Sequence, residues 1–169
     1  MNHPYININN YLHAGKYIPI SDSQLSQFML QSNEIEGEPG LNPNDVDVAR
    51  AACLGFQTLD DILRAHKLLT EHLKVDWSGK WRKINVRVGR FVAPDWSDIP
   101  NLMKDFEPYL KVELFDSWKS HNEFEKIHPF QDFNGRIGRL IWLSKAIKEG
   151  YNFSIPFLQK YYYQTLKNQ

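Results

Sequence analysis

The spacing of apolar residues along the chain predicts a mainly α protein. Leu25, Phe28 and Met29 follow Ser21, a candidate helix N-cap, at helical spacing, and this first helix is expected at about 22–37. Helical spacing recurs in five later groups of residues: Val46, Ala49, Cys53 and Phe56; Ile62, Leu69 and Leu73; Leu102, Met103 and Phe106; Leu114, Phe115, Trp118 and Ile127; and Leu140, Ile141 and Ile147. The pattern predicts six or seven helices, the seventh near the C-terminus.

Capping and breaking residues give the expected helix boundaries. Asn42-Pro43 is a typical cap and first-turn proline for the second helix. The third helix is expected from about Asp60, with Leu73 facing inward, and Gly150 is expected to end the last clear helix. The first twenty residues predict an irregular or short-strand lead-in.

One segment, between the third and fourth helices, has the periodicity of a β-strand. Ile84, Val86 and Val88 alternate with polar residues, and Gly89-Arg90 supplies a two-residue turn. We therefore predict a small hairpin at about 83–94. A hairpin of this kind could pack its apolar residues on the helices.

Composition narrows the class of protein. The chain has 169 residues, 42% of them apolar, which indicates one domain with a real core. Twenty basic residues balance twenty acidic ones, so general nucleic-acid binding is not expected. The single cysteine excludes an internal disulfide. No leader-like N-terminus and no apolar run of about 18 residues is present, so we expect no membrane span and a cytoplasmic location.

A short stretch near residue 130 carries the candidate chemistry. A loop presents His128 and Asp132, and Arg136 and Arg139 follow in the first turns of a new helix. A helix N-terminus binds anions and disfavours cations, so two arginines are favourable there if an anion with several charges binds. Asp132 could hold a divalent cation on that anion, and His128 could take a proton from a nucleophile. Each feature alone is commonly structural, but together they indicate phosphoryl or nucleotidyl transfer.

An acidic residue continues the apolar stripe of the first helix. At about 100° per residue, Ser32 and Glu36 lie in line with Leu25 and Met29. A carboxylate on a buried stripe should be paired or protonated. The alternative is that the helix simply leaves the core before Glu36.

The segment from His128 to Arg139 resembles the signature of the Fic-domain (Fido) family. That signature is His-Pro-Phe, any residue, an acid, Gly-Asn-Gly-Arg, two residues and Arg, and the chain matches eight of its nine specified positions. The departure is Phe133, where the signature has a glycine. The resemblance extends over about 22–160, which leaves a lead-in at 1–21 and a tail at 161–169. It implies a Fic-type helical core with the hairpin as a flap.

The resemblance also implies a reaction and a set of roles. The domain would transfer AMP from ATP to a Ser, Thr or Tyr hydroxyl of a target protein docked on the hairpin from Lys83 to Pro94. His128 would be the general base, and Asp132 would bind Mg²⁺. The phosphates would lie against a set of loop and helix residues: Phe133, Asn134, Gly135, Arg136 and Arg139. Phe130 would pack the loop onto the core.

Many Fic proteins carry an inhibitory helix with Ser or Thr, three residues, Glu, and then Gly or Asn. Ser32, Glu36 and Gly37 match all three specified positions. The resemblance implies that Glu36 pairs with Arg139 and blocks the γ-phosphate of ATP. The chain is thus expected to be an autoinhibited AMP transferase, with self-modification and oligomerisation left open.

Two alternatives remain. One is a phosphotransferase or other nucleotide transferase of the Fic type, against which the intact Asn134-Gly135-Arg136 and Arg139 argue. The other is a catalytically weak nucleotide-binding module, suggested by Phe133. A negative φ at Phe133 would let its ring point onto the neighbouring helix and keep the loop competent. A positive φ would cost about 1–3 kcal/mol and distort the loop. We expect the competent loop.

Overall fold

The computed structural model describes residues 20–111 and 114–149. The predicted lead-in, the end of the last helix at Gly150 and the terminal helix with Tyr161, Tyr162 and Tyr163 lie outside these residues. Within them, the chain forms six α-helices and one two-stranded antiparallel hairpin: α1 Asp22–Ile35, α2 Asp45–Cys53, α3 Leu59–Thr70, β1 Arg87–Val88, β2 Phe91–Val92, α4 Ile99–Phe106, α5 Ser117–Ile127 and α6 Asn134–Ala146. The prediction of a mainly α fold with a small hairpin is confirmed. No helix in this part of the chain is long and apolar enough to cross a bilayer.

Helix α6 lies at the centre of the fold. It packs against α5, α2, α1 and α3, and every residue from Asn134 to Ala146 except Gly135 is buried. Its middle supplies apolar core residues such as Leu140, Ile141 and Trp142. Its first turns carry the buried Arg136 and Arg139, so the N-terminal end of the central helix is polar while the rest is core.

Helix α1 packs mainly against α2 and also touches α6, and the stripe that the sequence predicts is its buried face. Leu25, Phe28, Met29 and Ser32 are buried, as expected for one helical face. The helix begins with a capping box formed by Ser21 and Gln24, and it ends two residues before the predicted Gly37.

The end of α1 is a Schellman turn. Gly37 donates its N–H to the Glu34 carbonyl, and Glu38 donates its N–H to the Asn33 carbonyl, both at 3.0 Å. Gly37 has φ +77°, a conformation that glycine and asparagine tolerate best. The turn leaves Glu36 as the C-cap residue and returns the chain toward α6.

Three helix boundaries differ from the prediction. Helix α2 begins at Asp45 instead of Asn42-Pro43, because the Asp45 carboxylate accepts the Asn42 N–H and the Asn33 amide. Leu73 is 42% exposed, so its predicted inward position is wrong. Beyond Thr70 the chain tightens into a 3-10 turn, Glu71–Leu73, which rotates Leu73 off the buried face. Helix α5 begins at Ser117 with Asp116 as its N-cap, so Leu114 and Phe115 precede it.

The hairpin is shorter than predicted. The paired residues are Arg87 with Val92 and Val88 with Phe91. Ile84, predicted to lie in the strand, does not join the ladder, because its carbonyl accepts a hydrogen bond from Arg82. Ile84 and Val88 are both more than 40% exposed, so these two residues are not buried on the helices, whereas Val86 is half-buried.

Candidate active site

His128 ends helix α5 and begins the loop that leads into α6. It adopts a left-handed conformation with φ +51° and ψ +59°. Its side chain is 17% exposed and borders a groove of about 600 Å³, which runs between α5 and the hairpin. Val88 and Phe91 line the groove from the hairpin, and Trp118 and Asn122 line it from α5.

Arg82 joins the hairpin to the His128 loop, a role that sequence reasoning missed. Its buried guanidinium donates to the carbonyls of His128 at 2.8 Å, Ile84 at 2.9 Å and Pro94 at 2.7 Å. Desolvation by burial lowers the pKa of Arg82. One side chain therefore holds both ends of the hairpin and the backbone of the candidate base. No periodicity or motif marks Arg82 in the sequence.

The side chain of Asn134 forms hydrogen bonds across the loop between α5 and α6. The Phe130 N–H donates to Asn134 Oδ1 at 2.8 Å, and Asn134 Nδ2 donates to the Phe130 carbonyl at 2.9 Å. Asn134 is buried, and this pair of bonds engages both the oxygen and the nitrogen of its amide. Its predicted contact with phosphate would therefore come from its backbone N–H at the start of α6.

His66 on α3 supports the same loop and was also missed. Its ring stacks on Phe130 with 3.7 Å between centroids. The Gly79 N–H donates to His66 Nδ1 at 2.9 Å, so Nε2 carries the proton and donates to the Asp132 carbonyl at 3.1 Å. Burial lowers the pKa of His66 to about 4, which keeps the ring neutral at pH 7. One feature of the sequence could have identified His66 as a buried residue: it lies four residues after Ile62, on the same face of α3.

Phe133 has φ +67° and caps α6 without a side-chain hydrogen bond, so the negative φ that we favoured is not found. This conformation accounts for the glycine of the signature. The loop nevertheless retains its internal bonds, because the Phe133 ring is buried beside His66 and Trp77. The Arg136 guanidinium carbon lies 3.3 Å from the ring centroid, a cation–π contact. The Phe133 N–H donates to Asp132 Oδ1 at 2.6 Å.

Arg139 is held by the end of α1. It is 1% exposed and donates from Nε to Ser32 Oγ at 2.7 Å, and from Nη2 to Glu36 Oε1 at 2.6 Å and to the Ser32 carbonyl at 3.0 Å. A Cβ on Gly135 would lie 2.5 Å from Glu36 Oε1. The Glu36 carboxylate thus lies against the first turn of α6, where an anion is expected.

Arg136 is paired with a second carboxylate, which the sequence analysis did not single out. Its Nη1 lies 2.6 Å from Glu38 Oε2, and the Arg136 side chain is 3% exposed. The Schellman turn at Gly37 brings Glu38 to this position. Glu36 and Glu38, two residues apart, therefore engage both arginines predicted to bind phosphate.

Asp132 offers the exposed carboxylate of the loop. Its side chain is 60% exposed, and Oδ1 lies 3.9 Å from Arg136 Nη2. The described part of the chain has no group of three or more His, Cys, Asp or Glu side chains that could hold a metal by itself. An exposed carboxylate next to Arg136 nevertheless fits Mg²⁺, which commonly takes one or two carboxylates and completes its shell with phosphate oxygens and water.

The fold and site together define a class of helical domain. In it, a histidine loop leads into a buried central helix whose first turns carry two arginines.

Comparisons with known proteins agree with this class. A model of the Fic/DOC family matches residues 56–143, slightly more than half of the chain. The chain is 36% identical over 103 residues to protein adenylyltransferase Fic of Aedes aegypti, a match covering 57% of this chain and 21% of that protein. It is 35% identical over 119 residues to protein adenylyltransferase Fic of Drosophila grimshawi, covering 65% of this chain and 25% of that protein. The chain therefore spans about a quarter or less of the length of these curated relatives.

Solved structures show the same fold. A Fic family protein from Desulfovibrio desulfuricans superposes with a TM-score of 0.55 at 26% identity, over 86% of this chain and 57% of that chain. Fic-1 from C. elegans superposes with a TM-score of 0.52 at 20% identity, over 86% of this chain and 54% of that chain, which supports the fold alone. The chain belongs to the Fic/DOC family.

Proposed function

We propose that this chain is an autoinhibited protein adenylyltransferase domain, which transfers AMP from ATP to a Ser, Thr or Tyr hydroxyl of a target protein. The observation that carries the proposal is that the loop beginning at His128 leads into α6, whose first turns bury Arg136 and Arg139, in a chain of the Fic/DOC family. Buried guanidinium groups at the positive end of a helix are costly unless anions pair with them. In this structure the anions are Glu36 and Glu38.

The reaction follows from this arrangement. The target hydroxyl oxygen forms a bond to the α-phosphorus of ATP, the bond between the α-phosphorus and its bridging oxygen to the β-phosphate breaks, and pyrophosphate leaves. The hydroxyl proton passes to His128. Arg136, Arg139 and the first backbone N–H groups of α6 would hold the phosphates. Asp132 would hold Mg²⁺, which when bound neutralises charge on the phosphate oxygens.

The groove beside His128 supports docking of a protein target on the hairpin. Val88 and Phe91 expose more than 40% of their surface there, and Val92 exposes 61%. An extended target segment would add a strand to the hairpin and place its side chains in the groove. Because Arg82 joins the hairpin to His128, a segment docked in this way would place its hydroxyl close to the base.

Autoinhibition is supported by the contacts at the end of α1. Glu36 occupies the guanidinium that the γ-phosphate would use, and Glu38 occupies the neighbouring one. ATP could then bind in a productive position only after these carboxylates leave. The inhibitory helix is therefore proposed to act through Ser32, Glu36 and Gly37, with Gly37 supplying the turn.

Labelled ATP tests the function. The protein and its Glu36→Gly variant are incubated with Mg²⁺ and ATP labelled on either the α- or the γ-phosphate, with and without lysate proteins. Label from the α position on protein, lost in a Glu36→Gly/His128→Ala double variant, supports AMP transfer, and label on the chain itself would be self-modification. Label from the γ position would indicate a phosphotransferase, and no label together with ATP binding would indicate a nucleotide-binding module.

A further inference from the structure

A half-buried carboxylate, with 27% of its side chain exposed, lies beside the candidate base. Glu125, three residues before His128 on α5, places Oε2 at 3.4 Å from His128 Nδ1. Its other oxygen, Oε1, is buried and has no hydrogen-bond partner in the described part of the chain. Neither the family signature nor the sequence analysis marks this residue.

Helix α6 leaves room for this carboxylate. A Cβ on Gly138 would collide with Glu125 Oε1 and would lie 3.1 Å from His121 Nδ1. Gly138 has an ordinary helical conformation, so its lack of a side chain is needed for close approach rather than for a positive φ. The glycine costs about 1 kcal/mol of helix propensity. The space that it leaves is filled by Glu125.

The surroundings favour the ionised form of Glu125. Burial alone would raise the pKa of this carboxyl, but His128, His121 and Arg139 outweigh burial, and the pKa is lowered. Acidic residues near a helix C-terminus are unfavourable for the helix itself. Glu125 thus carries its charge at an unfavourable place in α5, next to the one imidazole that faces the groove.

We propose that Glu125 is a positioning residue for His128, whose carboxylate accepts a hydrogen bond from Nδ1–H and so leaves the unprotonated Nε2 directed at the groove. The proposal rests on the proposed function, in which His128 takes the proton of the target hydroxyl. The same carboxylate would stabilise the imidazolium formed by that transfer. The two atoms are 3.4 Å apart and do not meet hydrogen-bond geometry in this structure, since Nδ1 has no hydrogen-bond partner among the described residues. The separation should shorten once the ring is charged.

Ring nitrogen NMR tests the positioning without any need for activity. In the unmodified protein, ¹⁵N shifts of the His128 ring should show the proton on Nδ1. In Glu125→Gln the preference for that tautomer should weaken, because a neutral amide attracts Nδ1–H less strongly. A ring in the unmodified protein with its proton on Nε2 would overturn the proposal, even if every variant of Glu125 failed to fold.

Kinetics give the second test, in the Glu36→Gly background. Glu125→Gln should lower kcat about 10- to 100-fold with little change in KM for ATP, and Glu125→Asp should recover part of the loss. The acidic limb of the pH–rate profile should move to lower pH, because the imidazolium loses its neighbouring negative charge. The other charged or titratable groups around this pair are His121 and Arg139, which act on Glu125, and Arg82, which bonds to the His128 carbonyl. Four more line the same groove: Asp116, Lys119, Glu123 and Lys126. All of them are unchanged in this variant.

A matched charge removal at an exposed site, Asp60→Asn, is the control and should leave kcat and the pH profile unchanged. If Glu36→Gly transfers AMP and Glu125→Gln has the same kcat and pH profile, Glu125 does not position the base. If Glu36→Gly transfers nothing while the His128 tautomer depends on Glu125, the proposed function fails and the positioning contact stands.

Discussion

Replacement of Glu36 by glycine should raise activity and lower stability at once. Glu36 is partly exposed but bonded at 2.6 Å to a guanidinium that is 1% exposed. A charge-assisted hydrogen bond of this kind contributes about 1.5–3 kcal/mol. Arg139 released from it can bind the γ-phosphate, so kcat/KM for ATP should rise about 10- to 150-fold, at 1.4 kcal/mol per tenfold.

The free energy of unfolding should fall by less than the activation free energy of AMP transfer. Arg139 keeps two hydrogen bonds to Ser32 in the variant, so the unliganded protein should lose about 1–2 kcal/mol, which is about 2–8 °C in Tm for a domain of this size. ATP should restore this loss by binding the released guanidinium. The thermal shift produced by ATP should therefore be larger in Glu36→Gly than in the unmodified protein.

The assay combines transfer of α-labelled AMP with thermal unfolding at several ATP concentrations. Glu34→Gly is the matched control, because Glu34 is exposed in the last turn of the same helix and undergoes the same side-chain change. Glycine inside the helix should cost at least as much stability as glycine at the C-cap. It should lose stability without gaining activity. A Glu36→Gly protein that is folded, binds ATP as before and transfers no more AMP would refute the inhibitory role of Glu36.

Four further outcomes are expected. In the Glu36→Gly background, His128→Ala should lower AMP transfer about 10²- to 10⁴-fold while ATP binding by calorimetry persists. Glu38→Gln alone should raise transfer about two- to fivefold, less than Glu36→Gly, because a pair with a more exposed carboxylate contributes about 0.2–1 kcal/mol. Phe133→Gly should change transfer by less than about tenfold yet lower the free energy of unfolding by about 2–3 kcal/mol, since the lost buried ring outweighs relief of the left-handed strain. Urea unfolding should show that the free energy of unfolding falls between pH 7 and pH 5, with His66 contributing about 2 kcal/mol of the fall, because burial lowers the pKa of His66 to about 4 and only the unfolded chain protonates this residue in that range.

Each of these outcomes has a control. Loss of ATP binding in His128→Ala would mean that the loop had collapsed, and unchanged transfer would remove His128 from the mechanism. An effect of Glu38→Gln as large as that of Glu36→Gly would contradict the ranking by exposure. A gain far above tenfold in Phe133→Gly would mean that the ring obstructs the nucleotide. His66→Gln should flatten the pH dependence in part, since burial also lowers the pKa of His121, and a variant with the full dependence would exclude His66 as its cause.

The sequence predicted those parts of the site that follow from local periodicity or from a contiguous motif. Ser32 lies on the buried stripe of α1, and Glu36, the partly exposed C-cap residue, continues the line of that stripe and reaches Arg139. Glu38 lies beyond the helix, and its contact with Arg136 depends on a turn that periodicity does not describe. Arg82 and His66 act on the loop across long sequence separations, so no local pattern could identify their partners.

The conformation of Phe133 does not follow from local backbone preferences. A positive φ with a bulky side chain costs free energy locally, and a local argument therefore favoured a negative φ. The structure compensates for that cost with tertiary contacts to His66, Trp77 and Arg136. The prediction for Leu73 failed for a different reason. The pattern places Leu73 on the buried face of α3, but the α-helix ends at Thr70 and the 3-10 turn that follows exposes Leu73.

Gly135 and Gly138 act as two spacers on one rigid helix. They are three residues apart, about 4.5 Å along the axis of α6, and each admits the carboxylate of a different neighbour, Glu36 from α1 and Glu125 from α5. A sliding movement of α6 would therefore disturb both the proposed inhibitory contact of Glu36 and the proposed support of His128 by Glu125. Helix α6 is buried between four helices, whereas residues 36–41 are exposed. The proposed inhibition could therefore be released without displacing the catalytic groups only if the end of α1 moves and α6 stays in place.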